Sequence, residues 1–499
     1  MASGFFYYWN DKMSVELNET SLHAPERKPI VELLVLAAPT IAQMASYTVM
    51  QFIDRLMLAR VGDLEAAAAG AAGMTYFSVL GFGFGVLLVV NTLVSQSFGR
   101  KDLSLTGQYL WQGVWFGLIF GLLPVVVFPF ARQMFAAMGH EAQVAQLEGD
   151  YFRIVALAGW AKLSTMAMAE FLIGLHRPFV VMCATITGIV VNCLFNWLLI
   201  FGHWGFPAMG IVGSAWGLNA AVFVEFLVLA AYVSSPMMRR TFNTLDWQLR
   251  WSMLRTLLRV GLPAGFQLVC DIVAWTLFMN VIVASFGTAA WTANSFAFTY
   301  MHVSFMPAIG VGAAVTAQVG KYIGMKRYDL AEKRAHLGFF VVLAYMLSCG
   351  VFFFIFRNDL MRAFSSDPEV IKIGATLLMF VAGYQFFDAM FIIYVGALRG
   401  AGDTLVPAVT QVILVWTVVI GGGALAAKFF PQFGVSGPWT LATVFGCILG
   451  IYLLTRFRGG HWKTIRLDEN QSSDRLRGFE VTSAIDAAAA GGEPGQPLP

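Results

Sequence analysis

From Pro29 onward, apolar stretches long enough to cross a bilayer follow one another almost without pause. Spans are read over residues 32–57, 68–95, 107–131, 150–173, 179–201 and 211–233. After a polar loop come 257–285, 289–320, 335–356, 369–397, 406–427 and 436–456. Most exceed the roughly 20 residues that a hydrocarbon core requires, and tilting absorbs the excess. The pattern predicts an all-α polytopic membrane protein with twelve transmembrane helices. Residues 1–28 mix aromatics with acids and lack a basic stretch before an apolar core, so they are expected to form a cytoplasmic segment and not a signal peptide. Residues 457–499 turn polar and then Ala/Gly/Pro-rich, the composition of a disordered cytoplasmic tail.

Composition fixes the class. Charged residues make up 12% of the 499, against about 25% in soluble chains, and the mean hydropathy is +0.69. The five cysteines all fall inside apolar runs without a CxxC spacing, which reads as inert thiols and not disulfides or metal ligands. No Walker loop, GxSxG, HExxH or metal-ligand Cys/His spacing is present. Enzyme chemistry and ATP-driven transport therefore have no support, and no cofactor is implied.

Lys and Arg give the orientation. One side collects Arg27, Lys28, Arg100, Lys101, Arg177, the basic 234–256 loop, Lys326, Arg327, Arg399 and the tail, while the opposite loops hold few. Both termini are expected in the cytoplasm and the helices in the cell (inner) membrane.

The chain also repeats itself. Pro39 and Gln43 are matched by Pro263 and Gln267, Thr92 by Thr316, and Gly210 with Gly213 by Gly434 with Gly437, each displaced by 224 residues (263 − 39, 316 − 92, 434 − 210). Six spans per repeat bring both halves into the membrane from the same side, which implies a parallel, pseudo-two-fold arrangement of two six-helix bundles. The expected lobes are residues 29–233 and 257–456, joined by a cytoplasmic loop over 234–256. A cavity between two such lobes suits a transporter and not a channel.

Polar residues inside the spans are the candidate chemistry. Gln43, Tyr47, Gln51 and Asp54 recur at spacings of four, four and three along one face of span 1. They form a cavity wall, or Asp54 caps the outer end and pairs with Arg55 or Arg60. Asn192 and Asn196 lie one turn apart in span 5, either aimed at one point or serving as interhelical glue. In span 7, Gln267 and Asp271 share a face; in span 10, Tyr384 and Asp388 do. Two mid-membrane carboxylates beside a phenol make an oxygen-rich cluster suited to a proton or a monovalent cation. Lys162 and Glu170 sit about 80° apart around span 4, so spacing alone does not pair them.

At these residues the chain resembles the multidrug and toxic compound extrusion (MATE) family, in its NorM-like branch. The matching segments are FIDRLMLARVG, NTLVSQSFGRKD, NCLFNWLLIFG, GLPAGFQLVCD and GALRGAGDT, within roughly Ile30 to Arg456. The resemblance implies a secondary multidrug exporter that antiports organic, often cationic compounds against H+ or Na+ by alternating access. It maps a C-lobe cation-coupling site to Asp271, Tyr384 and Asp388, and an N-lobe site to Asp54, Asn192 and Asn196, with Gln43, Tyr47, Gln51 and Gln267 lining the cavity. The family usually has Glu where Asp271 stands, and some branches carry an acid where Asn196 stands. The expected partners are small organic substrates and the lipid bilayer, with no nucleic acid, and the chain is expected to act as a monomer. Two alternatives stay open: a lipid-linked saccharide flippase of the related superfamily, and a major-facilitator-type carrier.

Overall fold

The computed structural model describes residues 28–467. Of the expected N-terminal segment only Lys28 falls within that range, and residues 468–499 of the tail lie outside it. Twelve membrane-length helical units follow one another: α1 (Pro29–Ala59), α2 (Asp63–Gly99), α3 (Leu103–Ala137), α4 (Ala142–Ala156 continued by Gly159–Gly174), α5 (Pro178–Phe201) and α6 (Ile211–Val233) form the N-lobe. The C-lobe comprises α7 (Trp251–Phe286), α8 (Thr288–Gly324), α9 (Tyr328–Arg362), α10 (Pro368–Gly400), α11 (Leu405–Phe429) and α12 (Ser436–Arg458). Proline opens α1, α5 and α10, where its missing N–H costs nothing. Ten units are continuous, and α3 is interrupted by a turn at Gly121–Leu122. The fourth is broken by a 52° bend between its two pieces, a departure from twelve unbroken spans.

The repeat in the sequence is a repeat in space. Helices α2 and α8 each run 37 residues, α3 and α9 each 35, and α6 and α12 each 23. Lys101 and Lys326, which follow α2 and α8, share the left-handed conformation with φ of 64° and 59°. The lobes cross symmetrically as well. Gly85 of α2 lies against the backbone of Ala264 and Gly265 in α7, and Gly310 of α8 against that of Thr40 and Ile41 in α1. Each glycine leaves no room for a side chain, so helices from opposite lobes approach backbone to backbone. Gly99 and Gly324 meet each other on the pseudo-axis.

Among the described residues, the hydrogen bonds and ion pairs between lobes gather on the side that carries Lys28 and Arg458. Thr40 Oγ1 donates to Gly310 O at 2.8 Å, Thr92 Oγ1 to Arg399 O at 2.9 Å and Gln96 Nε2 to Gly400 O at 2.9 Å. On the same side Glu32 of α1 pairs with Arg334 of α9 at 2.8 Å and accepts from the Tyr322 hydroxyl at 2.9 Å. The lobes are locked together at the terminus-bearing end, and among the described residues no such bond joins them at the other.

Two expectations change. The 234–256 connection is not a simple loop: Pro236–Phe242 is helical, and α7 already begins at Trp251. The strand of chain between them is strapped to α3, whose Trp111 and Trp115 indoles donate to Thr244 O and Trp247 O, both at 2.8 Å. The chain beyond residue 456 is not disordered at its start. Trp462 is 1% exposed, stacks on Phe457 at 5.1 Å and donates to Phe457 O at 2.7 Å. Lys463 pairs with Glu332 at 2.6 Å. A tryptophan in HWKTIRL gives this segment enough apolar surface to dock, which its average composition conceals.

Candidate ion and substrate sites

In the N-lobe, α1 and α5 bring three of the sequence candidates together. Asn196 Nδ2 donates to Asp54 Oδ1 at 2.6 Å and lies 3.3 Å from Asn192 Oδ1. Asn192 and Asn196 are both fully buried, and Asn192 Nδ2 and Asn196 Oδ1 have no protein partner. The one-turn spacing does aim both amides at one point, and Asp54 reaches it from the neighbouring helix instead of pairing with Arg55 or Arg60. A carboxylate thus lies between α1 and α5 with unspent amide groups around it.

The rest of the span 1 stripe divides. Tyr47 turns inward and lies 5.7 Å, ring centroid to ammonium, from Lys162. Gln43 keeps a buried carbonyl oxygen with no partner. Gln51 is exposed, so the stripe is not continuously buried. Lys162 is answered by Glu225 of α6 at 3.8 Å, a residue that sequence reasoning passed over because it is a lone acid in an apolar span. Glu170 goes elsewhere: it is buried and accepts from Asn91 Nδ2 at 3.1 Å.

In the C-lobe, Asp271 of α7 is held by an amide chain. Gln267 donates to Gln411 of α11, and Gln411 donates to Asp271 Oδ2. The other oxygen, Asp271 Oδ1, is buried without a partner. Asp388 of α10 is 3% exposed and accepts no hydrogen bond among the described residues. Tyr384, one turn away, interacts electrostatically with both Asp388 and Asp271. Its ring rests on Gly446 of α12, where a side chain would displace it. The structure thus groups Asp271, Tyr384, Asp388 and Gln267, and adds Gln411. That glutamine was legible as the only amide in LVPAVTQVIL, but a single polar residue carries no spacing to mark it.

Backbone irregularity concentrates beside this cluster. Phe278–Val283 in α7 and Val415–Gly422 in α11 are wound as π-helix, just beyond Asp271 and Gln411. Such widened turns leave main-chain groups poorly paired and are common at functional positions.

Chemically, both sites offer carboxylate oxygens in a region of low polarity, where an unpaired charge costs roughly 2.5–3.5 kcal/mol on insertion scales. Two acids sharing one neighbourhood cannot both remain charged without a cation or proton to offset them. Among the described residues, no lysine or arginine forms a salt bridge with Asp271 or Asp388.

The comparisons with known proteins agree with this architecture. A family model described as MatE matches residues 39–198 and 263–423, one stretch in each lobe. "Probable multidrug resistance protein NorM" of Mesorhizobium japonicum is 29% identical over 455 residues, covering 88% of this chain and 96% of the relative. "Multidrug resistance protein PmpM" of Pseudomonas aeruginosa is 26% identical, covering 90% and 96%. The solved structure of a multidrug resistance MATE family transporter in an outward-facing conformation superposes with a TM-score of 0.80 at 17% identity, over 88% of this chain and 98% of that one.

Proposed function

This chain belongs to the MATE family, a transporter and not an enzyme, and on that footing we propose that it is a multidrug exporter driven by inward flow of H+ or Na+. The relatives named for multidrug resistance support the substrate range. The observation that carries the coupling is the C-lobe cluster: buried Asp388, the unpartnered oxygen of Asp271, and Tyr384, which interacts electrostatically with both.

A proton or Na+ taken up there neutralises the acids and weakens their hold on a cationic compound. Its loss to the other side restores the charge and the affinity. That reciprocal preference is what links two gradients. The Tyr384 hydroxyl can donate to whichever carboxylate is charged or lend its oxygen to a cation. Asp54 with Asn192 and Asn196 forms a second ion-responsive site on the N-lobe.

The lobes are joined at the terminus-bearing end, so the conformation is the one that opens to the opposite face. With the termini in the cytoplasm of the cell membrane, that face is outward. The family match sets aside the major-facilitator alternative. A flippase for a phosphate-linked sugar would want several basic residues in the cavity, and Lys162 stands alone there.

The test is export of a fluorescent cation from vesicles, with ΔpH and ΔNa+ imposed separately. Export driven by one gradient and lost in Asp388→Asn supports the coupling role. Equal export by wild type and Asp388→Asn would remove it.

A further inference from the structure

The two C-lobe acids have counterparts in the N-lobe, and the counterparts carry the opposite polarity. Asp271 lies eight residues after Pro263, and Tyr47 lies eight after its repeat partner Pro39. Asp388 lies twelve residues before Gly400, which ends α10, and Lys162 lies twelve before Gly174, which ends α4. Where one lobe presents two carboxylates, the other presents a phenol and an ammonium.

That ammonium is under-used. The nearest acid oxygen to Lys162 Nζ is Glu225 Oε2 at 3.8 Å, outside hydrogen-bond reach. Glu225 is engaged on its other side, where Oε1 accepts from Thr185 Oγ1 at 2.7 Å. The Lys162 side chain is 26% exposed and that of Glu225 13%. A lysine has three N–H donors, and here they are met by one loose ion pair with Glu225. Tyr47 of α1 flanks the ammonium with its ring. A partly exposed cation, loosely paired with an acid and flanked by an aromatic ring, has room to exchange that acid for another anion.

We propose that Lys162 is an anion-accepting subsite of the N-lobe, taking the carboxylate of an organic substrate whose apolar body lies against Tyr47. The proposal rests on the exporter reading and adds a class of cargo to it. Glu225 is the resident competitor: it faces Lys162 loosely while the subsite is empty and is displaced when a substrate carboxylate makes the closer contact. The C-lobe acids then draw positive groups and the N-lobe lysine negative ones, so compounds bearing a carboxylate are recognised by a different lobe from those bearing only a cation.

Binding to the purified full chain in lipid nanodiscs tests this with two probes, 1-naphthoate and tetraphenylphosphonium. A charge-assisted contact is worth about tenfold or more in affinity. Lys162→Gln should weaken naphthoate by about that factor and leave tetraphenylphosphonium unchanged, and Lys162→Arg should retain naphthoate binding. Glu225→Gln, which removes the competitor, should tighten naphthoate, an outcome that a purely structural ion pair does not produce. Unchanged naphthoate affinity in Lys162→Gln, no naphthoate binding by wild type, or parallel weakening in Glu225→Gln would each overturn the subsite. Export of tetraphenylphosphonium by wild-type proteoliposomes is the separate readout of the exporter reading. Its absence would remove that reading while leaving the binding pattern to be judged alone.

Discussion

The N-lobe and the C-lobe share a backbone and divide the chemistry. Helix lengths, the left-handed lysines after α2 and α8, and the glycine crossings at Gly85 and Gly310 repeat from one lobe to the other. The polar residues mostly do not. Gln43 and Gln267 correspond, yet only Gln267 has a partner, Gln411. Asp271 and Asp388 of one lobe correspond in the repeat to Tyr47 and Lys162 of the other. Asp54 with its two asparagines falls where the C-lobe has no matching acid, since Phe278 stands at the equivalent position of α7. Packing constrains the shared part, because helices that meet backbone to backbone tolerate no side chain. Interior polar positions lie outside those close crossings and are free to diverge, which lets one scaffold hold two clusters of different charge.

The strongest way to break this division is at the C-lobe acids. Asp388→Asn is expected to cut ion-driven export to background, and Asp271→Asn to cut it about tenfold or more, in the range of coupling between linked sites. Asp271→Glu should be tolerated, because it lengthens the side chain by one methylene and keeps the charge. Vesicle export at matched expression checks all three. The shared backbone is tested next. Gly85→Val or Gly310→Val puts a branched side chain into facing backbone and should prevent closure at the terminus-bearing end. Cross-linking of Cys pairs placed across that end would then fall, and unchanged cross-linking would show the crossing to be loose.

Smaller effects are expected from the residues that hold the acids. Gln411→Leu strips Asp271 Oδ2 and Gln267 of their partners at a buried position, a loss of about 1–3 kcal/mol. Thermal unfolding in detergent reads it, and export should fall with it because Asp271 is no longer held toward Tyr384. Asp54→Asn should lower export only partly and leave insertion intact, since the amide can still meet Asn196. Full export by Asp54→Asn would reduce the N-lobe cluster to interhelical glue.

Much of this was legible in the sequence, and the reason differs by feature. Hydrophobic runs gave the helices because every backbone group in lipid must bond within its own segment. The six-plus-six repeat showed in Pro39 and Pro263 and in the Gly210 and Gly434 pair. Asp271, Tyr384 and Asp388 stood out because charge is rare in such runs, and Asn192 with Asn196 because they share a face. What stayed hidden were partners from distant helices. Gln411 and Glu225 are single polar residues whose meaning depends on which helix lies opposite, and periodicity within one span does not carry that. The bend in α4 has no proline to announce it, since its two pieces join at Leu157–Ala158. Trp462 was overlooked because a window average across a polar tail dilutes one aromatic residue.

The most direct measurement is gradient-driven export of a fluorescent cation from proteoliposomes, comparing wild type, Asp388→Asn and Asp54→Asn with ΔpH and ΔNa+ imposed one at a time. Wild type should respond to one of the two gradients, Asp388→Asn to neither, and Asp54→Asn to the same gradient as wild type at reduced rate. Wild-type rates in Asp388→Asn, with loss confined to Asp54→Asn, would place the coupling in the N-lobe and contradict the assignment.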